Sequence, residues 1–193
     1  MKTRQGQNMK RIPAYQVRTV IQGENEVITP IVSFVGNSNS GKTTLLEQVI
    51  RELKLKGYRV AIIKHSHHDI DIDRPGKDSW RYAQAGVDMV AISSPNKMAF
   101  IDYTAMELSL AQIEVLFSGK VDIVLTEGYK GNRTAKILVS GAEEEQLRRE
   151  EEILATVSAQ VTPSGVPQFD SNDIANIVNL IVGQIGEKSR INK

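Results

Sequence analysis

Residues 36 to 44 have the types and spacing of a phosphate-binding loop. Gly36, Gly41, Lys42 and Thr43 fit the pattern G-x-x-x-x-G-K-[ST], the Walker A motif. A β-branched run, 31–35, precedes the motif and an amphipathic run follows it, which is the strand, loop and helix order that this motif requires. The sequence therefore predicts a loop that binds the phosphates of a nucleotide.

The residue types indicate how this loop would work. Gly36 and Gly41 can adopt backbone conformations closed to other residues, so successive N–H groups can point at a phosphate. We expect Lys42 to reach the β- and γ-phosphates and Thr43 to ligate the Mg²⁺ that bridges them. The predicted phosphate-binding residues are Gly36, Asn37, Ser38, Asn39, Ser40, Gly41, Lys42, Thr43 and Thr44.

Two acids are candidates for catalysis beside the phosphates. In open α/β sheets ligands bind at the carboxyl ends of the parallel strands. Glu127 follows the apolar run 123–126, as a Walker B-type acid does, and we expect it to act at Mg²⁺ or to orient the attacking water. Asp69, in the polar loop 65–77, is either a second such group or a solvated loop acid. Asp122 begins its strand, roughly 16 Å from that edge, and is excluded.

The same edge should carry a lysine and a cluster of histidines. Lys64 ends the predicted second strand, and His65, His67 and His68 follow it. We expect Lys64, His65 and His68 to line the nucleotide site. Neutral imidazoles also suit zinc or nickel, so a transition-metal site is an alternative, although the chain has no cysteine to complete one.

Composition excludes several classes of function. A net charge of +1 over 193 residues gives no global basic field that would favour nucleic acid or a membrane surface. No apolar run approaches the ~18 residues of a membrane span. The absence of cysteine excludes disulfides and is compatible with a reducing cytoplasm, where we expect the protein.

Apolar runs and helical patterns alternate along the chain. This order predicts an α/β fold, a three-layer P-loop NTPase-like domain with a mainly parallel sheet. We expect a basic arm at 1–29, for which a transit peptide or a start at Met9 are alternatives, one domain at 30–186 and a tail at 187–193. The predicted strands are 31–35, 58–64, 87–93, 97–102, 121–126, 136–139 and 153–157.

Helix boundaries follow from capping signals. Asp78 is expected to cap a helix through Gln84, and Thr104 with Glu107 to form a capping box for the next one. Residues 143–151 are expected to form a helical turn or two, and Pro167 to lie in a loop before the last helix. That helix has an apolar stripe at 174–185, which covers one face of the sheet or docks on a second subunit.

Taken together, four short segments resemble one family. The phosphate loop 36–44, Lys-His-x-His-His-Asp at 64–69, Asp-Arg-Pro-Gly-Lys-Asp-Ser at 73–79 and Glu-Gly-Tyr-Lys at 127–130 are similar to the molybdopterin-guanine dinucleotide biosynthesis adaptor family, MobB. The resemblance covers about residues 30–185. It implies a GTP- and Mg²⁺-binding homodimer with weak GTPase activity. Its implied partners are the molybdenum cofactor guanylyltransferase, molybdopterin and molybdoenzymes.

Guanine recognition rests on this resemblance alone. The run 96–99, Asn-Lys-Met-Ala, lacks the aspartate of a guanine-reading motif and is better interpreted as a polar turn between two strands. Residues 157–160, where family members often have an acid, offer none.

Two other functions remain open at this point. A stand-alone small-molecule kinase would need lid arginines, for which the candidates are Arg133, Arg148 and Arg149. A GTP-dependent metallochaperone would use the histidine cluster. Three further cations are either contacts for an anionic cofactor or partner, or ordinary surface: Lys77, Arg81 and Lys130.

Overall fold

The computed structural model describes residues 29–66, 68–104, 106–139, 153–159 and 165–191, with backbone alone for 187–191. The strands in these ranges are β1 (Ile31–Val35), β2 (Val60–Lys64), β3 (Met89–Ser94), β4 (Lys97–Asp102), β5 (Ile123–Glu127), β6 (Ala135–Val139), β7 (Ile153–Val157) and β8 (Gln168–Phe169). The helices are α1 (Lys42–Leu55), α2 (Asp78–Gln84), α3 (Leu110–Val115) and α4 (Ile174–Ile191).

Six strands form one parallel sheet, in the order β2-β5-β1-β6-β7-β8. Its central strands are almost fully buried apolar runs, as a sheet covered on both faces requires. The register places Phe34 beside Glu127 and Glu127 beside Lys64. The carboxyl ends of β1, β5 and β2 therefore lie level at one edge, and the predicted mainly parallel α/β architecture is confirmed.

Helices cover both faces of this sheet. On one face α1 and α4 pack over a core that includes Phe34, Val49 and Ile181, all fully buried. On the other, Leu110 of α3 packs with Ile63 and Val124. The apolar stripe of α4 thus covers the sheet of its own chain, as one of the two expectations had it. None of the described helices is long and apolar enough to cross a membrane.

The start of α3 differs from the prediction. Ser109, not Thr104, caps this helix: its hydroxyl accepts from the N–H of Gln112, whose side chain accepts from the N–H of Ser109. The Thr104 hydroxyl instead donates to Asp102 at 2.8 Å, and Glu107 pairs with a histidine. Both segments fit the capping-box pattern. The predicted box at Thr104 was wrong because Glu107 pairs with His65 instead.

Strands β3 and β4 form an antiparallel hairpin separate from the main sheet, which we call the β3–β4 hairpin. Its turn holds Pro95 and Asn96, so Asn96 lies in a turn between two strands as expected, whereas 97–99 belong to β4.

Smaller differences concern element ends. Asp78 is the first residue of α2 rather than its cap, and Lys77 precedes it without a capping side-chain hydrogen bond. Pro167 leads into the short strand β8, which was not predicted. Helix α4 continues to Ile191, into the expected tail. The basic arm, apart from Thr29, and the predicted turns at 143–151 lie outside the described residues.

Candidate functional site

The phosphate loop joins β1 to the open N-terminus of α1. Gly41 caps α1 with φ of 84° and provides no side-chain hydrogen bond, and Asn39 also has a positive φ, of 62°. The first N–H groups of α1 therefore lack a capping side chain and remain available to an anion, which the helix dipole favours. Gly36 lies so close to β6 that a Cβ there would be 2.1 Å from the carbonyl oxygen of Val139. Only glycine fits at this position.

Lys42 lies over the loop that it is expected to serve. Its ammonium donates to the carbonyl oxygens of Gly36, at 3.2 Å, and of Asn37, and to the Ser40 hydroxyl at 3.3 Å. Burial lowers the pKa of Lys42, the Glu127 carboxylate opposes that shift, and the charges of Lys130 and Lys64 lower the pKa further. Three lysines thus act together at this part of the cleft against the charge of Glu127, so it favours an anionic ligand.

The two candidate magnesium residues, Thr43 and Glu127, are in contact. The Thr43 hydroxyl lies 3.1 Å from each carboxylate oxygen of Glu127, and the Lys64 ammonium lies 3.8 Å from one of them. A hydroxyl beside a carboxylate is the oxygen donor set that Mg²⁺ accepts together with phosphates and water. The residues present therefore fit a magnesium ion at this point.

Loop and acid share one cleft of about 1280 Å³. That volume exceeds the roughly 300–1,000 Å³ typical of a small-molecule pocket, so a nucleoside triphosphate has room in it. Besides the phosphate loop, the lining residues are Lys64, His65, Ser66, His68, Glu107, Leu108, Ser109, Leu110, Gln112, Glu127, Gly128, Tyr129, Lys130, Gly131 and Asn132.

His65 joins the two sides of the cleft beyond the phosphate loop. Its Nε2 lies 2.7 Å from a carboxylate oxygen of Glu107, and its ring lies 4.8 Å from that of Tyr129. Its backbone N–H donates to the carbonyl oxygen of Glu127 at 3.0 Å. Burial raises the pKa of the Tyr129 phenol, and the Glu107 charge adds to the shift. His65 therefore contacts two separate segments, one at Glu107 and one at 127–129.

The predicted site residues are brought together with two exceptions. The phosphate loop, Lys64, His65, His68 and Glu127 meet at the cleft, although Ser40 is absent from its lining surface and contacts Lys42 instead. Asp69 is exposed and is not among the lining residues, so the structure does not place it beside Glu127.

Of the residues linked to the other functions, His65 and His68 line the cleft, and the others lie away from it or outside the described residues. Arg133 is exposed and does not line the cleft. Arg148, Arg149 and His67 fall outside the described residues. Within the described ranges no group of three His, Cys, Asp or Glu side chains could hold a metal ion. Asp122 lies at the opposite end of β5 and binds Arg59, with Nη2 to Oδ1 at 2.6 Å.

Sequence reasoning missed Glu107 as a cleft residue, and it gave no separate role to Tyr129, although it expected 127–130 at this edge of the sheet. Glu107 had been assigned to a capping box, and no local pattern links it to His65, from which it is separated by 42 positions. Tyr129 had one available signal, since it directly follows the glycine after Glu127 at the end of a buried strand.

Comparison with known proteins gives a consistent result. The family model described as "Molybdopterin guanine dinucleotide synthesis protein B" (MobB) matches residues 31–159. A molybdopterin-guanine dinucleotide biosynthesis adapter protein of Escherichia coli is 33% identical over 81% of this chain and 94% of its own length. The Haemophilus influenzae adapter protein is 41% identical over 57% of this chain and 62% of its own length.

Solved structures agree with this. The crystal structure of Bacillus subtilis MobB superposes with a TM-score of 0.66 at 27% identity, over 80% of this chain and 97% of that one. A Bacillus stearothermophilus MobB homologue, at 22% identity and a TM-score of 0.64 over 81% of this chain and 98% of that one, supports the fold. Family model, relatives and fold together show that this chain belongs to the MobB family.

Proposed function

We propose that this protein is a GTP-binding adapter in the biosynthesis of molybdopterin-guanine dinucleotide. The observation that carries the proposal is the contact of Thr43 with both carboxylate oxygens of Glu127, beside a Walker A loop and within one cleft. These are the parts that a Mg²⁺-bound nucleoside triphosphate requires. The adapter role is taken from the E. coli and H. influenzae relatives, whose names state it.

Hydrolysis of the bound GTP is expected to be slow. Glu127 is positioned to hold Mg²⁺ or a magnesium-bound water, and bound Mg²⁺ would neutralise charge on the phosphates. An arginine that stabilises the transition state speeds phosphoryl transfer by roughly 10³–10⁵ in related enzymes. No arginine lines the cleft among the described residues. A weak GTPase that acts as an accessory protein fits this arrangement better than a fast enzyme.

The preference for guanine rests on the family relationship, and competition measures it directly. Purified protein is equilibrated with Mg²⁺ and a fluorescent GTP analogue, and unlabelled GTP or ATP is added. We expect GTP to displace the analogue at a concentration at least about 10-fold lower than ATP, a free-energy difference of about 1.4 kcal/mol. Lys42→Ala is the control for specific binding. A clear preference for ATP would overturn the proposal.

The proposed protein partner is the guanylyltransferase that attaches the nucleotide to molybdopterin, with molybdopterin and molybdoenzymes as further candidates. A pull-down from cells that make the cofactor, with the tagged full chain and added GTP and Mg²⁺, tests this. We expect the guanylyltransferase to be retained by the unaltered chain and lost with Gly36→Ala. Retention of only unrelated proteins would contradict the adapter role. The proposed location is the cytoplasm, with which the absence of cysteine is compatible.

We further propose that the protein is a homodimer and that the β3–β4 hairpin forms its interface. Large apolar side chains on both strands are exposed, including Met98 at 69% and Phe100 at 59%. An exposed apolar surface of this kind marks an interaction site in a soluble protein. A second copy of the hairpin would cover each of these surfaces with a chemically identical one, as a two-fold symmetric interface requires.

A further inference from the structure

The loop between β5 and β6, residues 128–134, carries Lys130, for which the sequence left open either a contact with an anionic ligand or ordinary surface. Lys130 is exposed and lines the cleft of the phosphate loop. The other two lysines of the cleft are engaged, Lys42 with the phosphate loop and Lys64 with Glu127. Lys130 forms no ion pair with any residue that the structure describes. Its charge is thus available to a ligand.

Both ends of this loop are fixed to neighbouring residues of β1, the strand that enters the phosphate loop. The N–H of Gly128 donates to the carbonyl oxygen of Phe34 at 3.1 Å. At the other end the hydroxyls of Thr134 and Ser33 share a hydrogen bond of 2.7 Å. Ser33 also accepts from the Thr126 hydroxyl at 2.9 Å, and both of those residues are fully buried. The loop therefore has a fixed position relative to the phosphate site.

Tyr129 holds an uncommon backbone conformation inside the loop. Its φ is 59°, in the left-handed region that costs a residue with a side chain roughly 1–2 kcal/mol. Gly128, the residue before it, has φ of 101°. The carbonyl oxygen of Tyr129 accepts a hydrogen bond from the N–H of Asn132 at 3.2 Å. Strain of this kind persists only where surrounding contacts fix it, and it is concentrated at functional sites.

Contacts of the tyrosine ring explain how that conformation is held. The ring lies against His65, whose Cβ is so close that a Cβ on Gly128 would be 3.2 Å from it. The backbone of His65 is itself bound to Glu127. Lys130 directly follows Tyr129, inside the turn that the Asn132 N–H closes on the Tyr129 carbonyl oxygen, and it lines the cleft.

We propose that Lys130 binds the terminal phosphate of the nucleotide and so lets the protein distinguish a nucleoside triphosphate from a diphosphate. The inference rests on the proposed nucleotide-binding function. Because Lys130 belongs to the same chain as the phosphate loop, no partner protein needs to supply the positive charge at the terminal phosphate. A diphosphate, held by Lys42 and the loop N–H groups, lacks the group that Lys130 would contact.

Binding of two nucleotides to variant proteins tests this assignment. The affinities of a non-hydrolysable GTP analogue and of GDP, both with Mg²⁺, are measured by calorimetry for the unaltered chain and for Lys130→Met. We expect the variant to bind the analogue about 10- to 100-fold more weakly, the effect of losing one hydrogen bond between charged groups. GDP affinity should change less than about 3-fold. The matched control is Lys77→Met, an exposed lysine that does not line the cleft.

The outcomes separate this inference from the proposed function. Failure of the unaltered chain to bind either nucleotide would refute the proposed function itself. Binding of both nucleotides by the unaltered chain, with Lys130→Met weakening both equally or neither, would overturn the role of Lys130 alone.

Two substitutions at Tyr129 test how the lysine is positioned. Tyr129→Gly permits the left-handed backbone but removes the ring, whereas Tyr129→Phe keeps the ring without the hydroxyl. We expect Tyr129→Gly to reduce the preference for the triphosphate about 3- to 10-fold and Tyr129→Phe to retain it. An unchanged preference in Tyr129→Gly would show that the ring does not position Lys130.

Discussion

The carboxyl edge of the parallel sheet and the β3–β4 hairpin differ in the polarity of their side chains and in how the rest of the fold supports them. At the edge, Glu127 ends a strand that is buried in the core, and Thr43 and Lys64 both contact it. In the hairpin the strands pair only with each other, and Val90 is the one buried residue of its two strands. The first region is polar and supported by the core, and the second is apolar and largely exposed.

This difference indicates the kind of ligand that each region requires. A charged small ligand gains most from groups fixed in advance, since their ordering costs nothing at the moment of binding. An isolated two-stranded hairpin is marginally stable in water, and packing against another surface adds what it lacks. We therefore expect mutations at the edge to affect nucleotide binding and mutations in the hairpin to affect dimer formation. Neither set should have much effect on the other property.

The largest expected effect is at the edge, from Gly36→Ala. The new Cβ would meet the Val139 carbonyl oxygen at 2.1 Å, and the φ of 155° is unfavourable for alanine. Because backbone on both sides must shift, we expect nucleotide affinity to fall more than about 100-fold, or 2.7 kcal/mol. Calorimetric titration with GTP and Mg²⁺ measures this. Gly183→Ala, where a Cβ meets nothing within 4 Å, is the control, and equal losses in both would contradict the explanation.

Glu127→Gln is expected to have the next largest effect. The amide can still accept from Thr43 but carries no charge for Mg²⁺, so the increase in GTP affinity that Mg²⁺ causes should fall about 10- to 100-fold. GTP titrations with Mg²⁺ and with EDTA measure that increase. Glu107→Gln changes an acid of the same cleft that pairs with His65, and it should leave the Mg²⁺ dependence intact. If only Glu107→Gln reduced the effect of Mg²⁺ on GTP affinity, the ion would be bound by Glu107 and the assignment to Glu127 would be wrong.

Contacts that follow from the parallel sheet could be predicted from the sequence, whereas contacts between loops could not. Lys64 and Glu127 were predicted to meet because a parallel sheet places the carboxyl ends of neighbouring strands at one edge. The contact of His65 with Glu107 was not predictable, since it joins two loops that no periodicity relates. Two capping boxes, beginning at Thr104 and Ser109, were both consistent with the local sequence, and only the pairing of Glu107 with His65 distinguishes them.

The hairpin shows a second limit of sequence patterns. Its strands were predicted closely, as 87–93 and 97–102 against Met89–Ser94 and Lys97–Asp102. Apolar residues there would ordinarily indicate burial. Whether such a side chain is covered depends on what packs against it, and Phe100 stays 59% exposed in the described part of the chain.

Phe100→Glu tests the hairpin side of the comparison. If two copies pack through their hairpins, a charge in place of a 59% exposed phenylalanine should weaken the dimer about 10- to 100-fold, the loss of a typical apolar anchor. Sedimentation velocity over a range of concentrations measures the dissociation. Leu55→Glu introduces the same charge at a leucine that is 82% exposed on α1 and serves as the control. An unaltered chain that is monomeric, or a variant that dimerises equally well, would contradict this interface.

The smallest expected effect is at the amino end of the same strand that carries Glu127. Arg59 holds the pKa of Asp122 below its usual range, by hydrogen bonds from its side chain and its backbone N–H. A lowered pKa stabilises the fold at pH values above that of the unfolded carboxyl, near 3.8, and the contribution is lost as pH falls through the folded pKa. Because the pair is largely solvated, Asp122→Asn should cost less than about 1 kcal/mol at neutral pH.

Urea unfolding of the unaltered chain and of Asp122→Asn, at neutral pH and below pH 3.8, measures this dependence. The difference between the two proteins should shrink on acidification. Asp78→Asn is the control, because that side chain is 83% exposed and lies 4.0 Å from Arg81. Nucleotide affinity should be unchanged in Asp122→Asn. A marked loss would mean that binding depends on the amino end of the sheet as well, and would refute the assignment of function to the carboxyl edge alone.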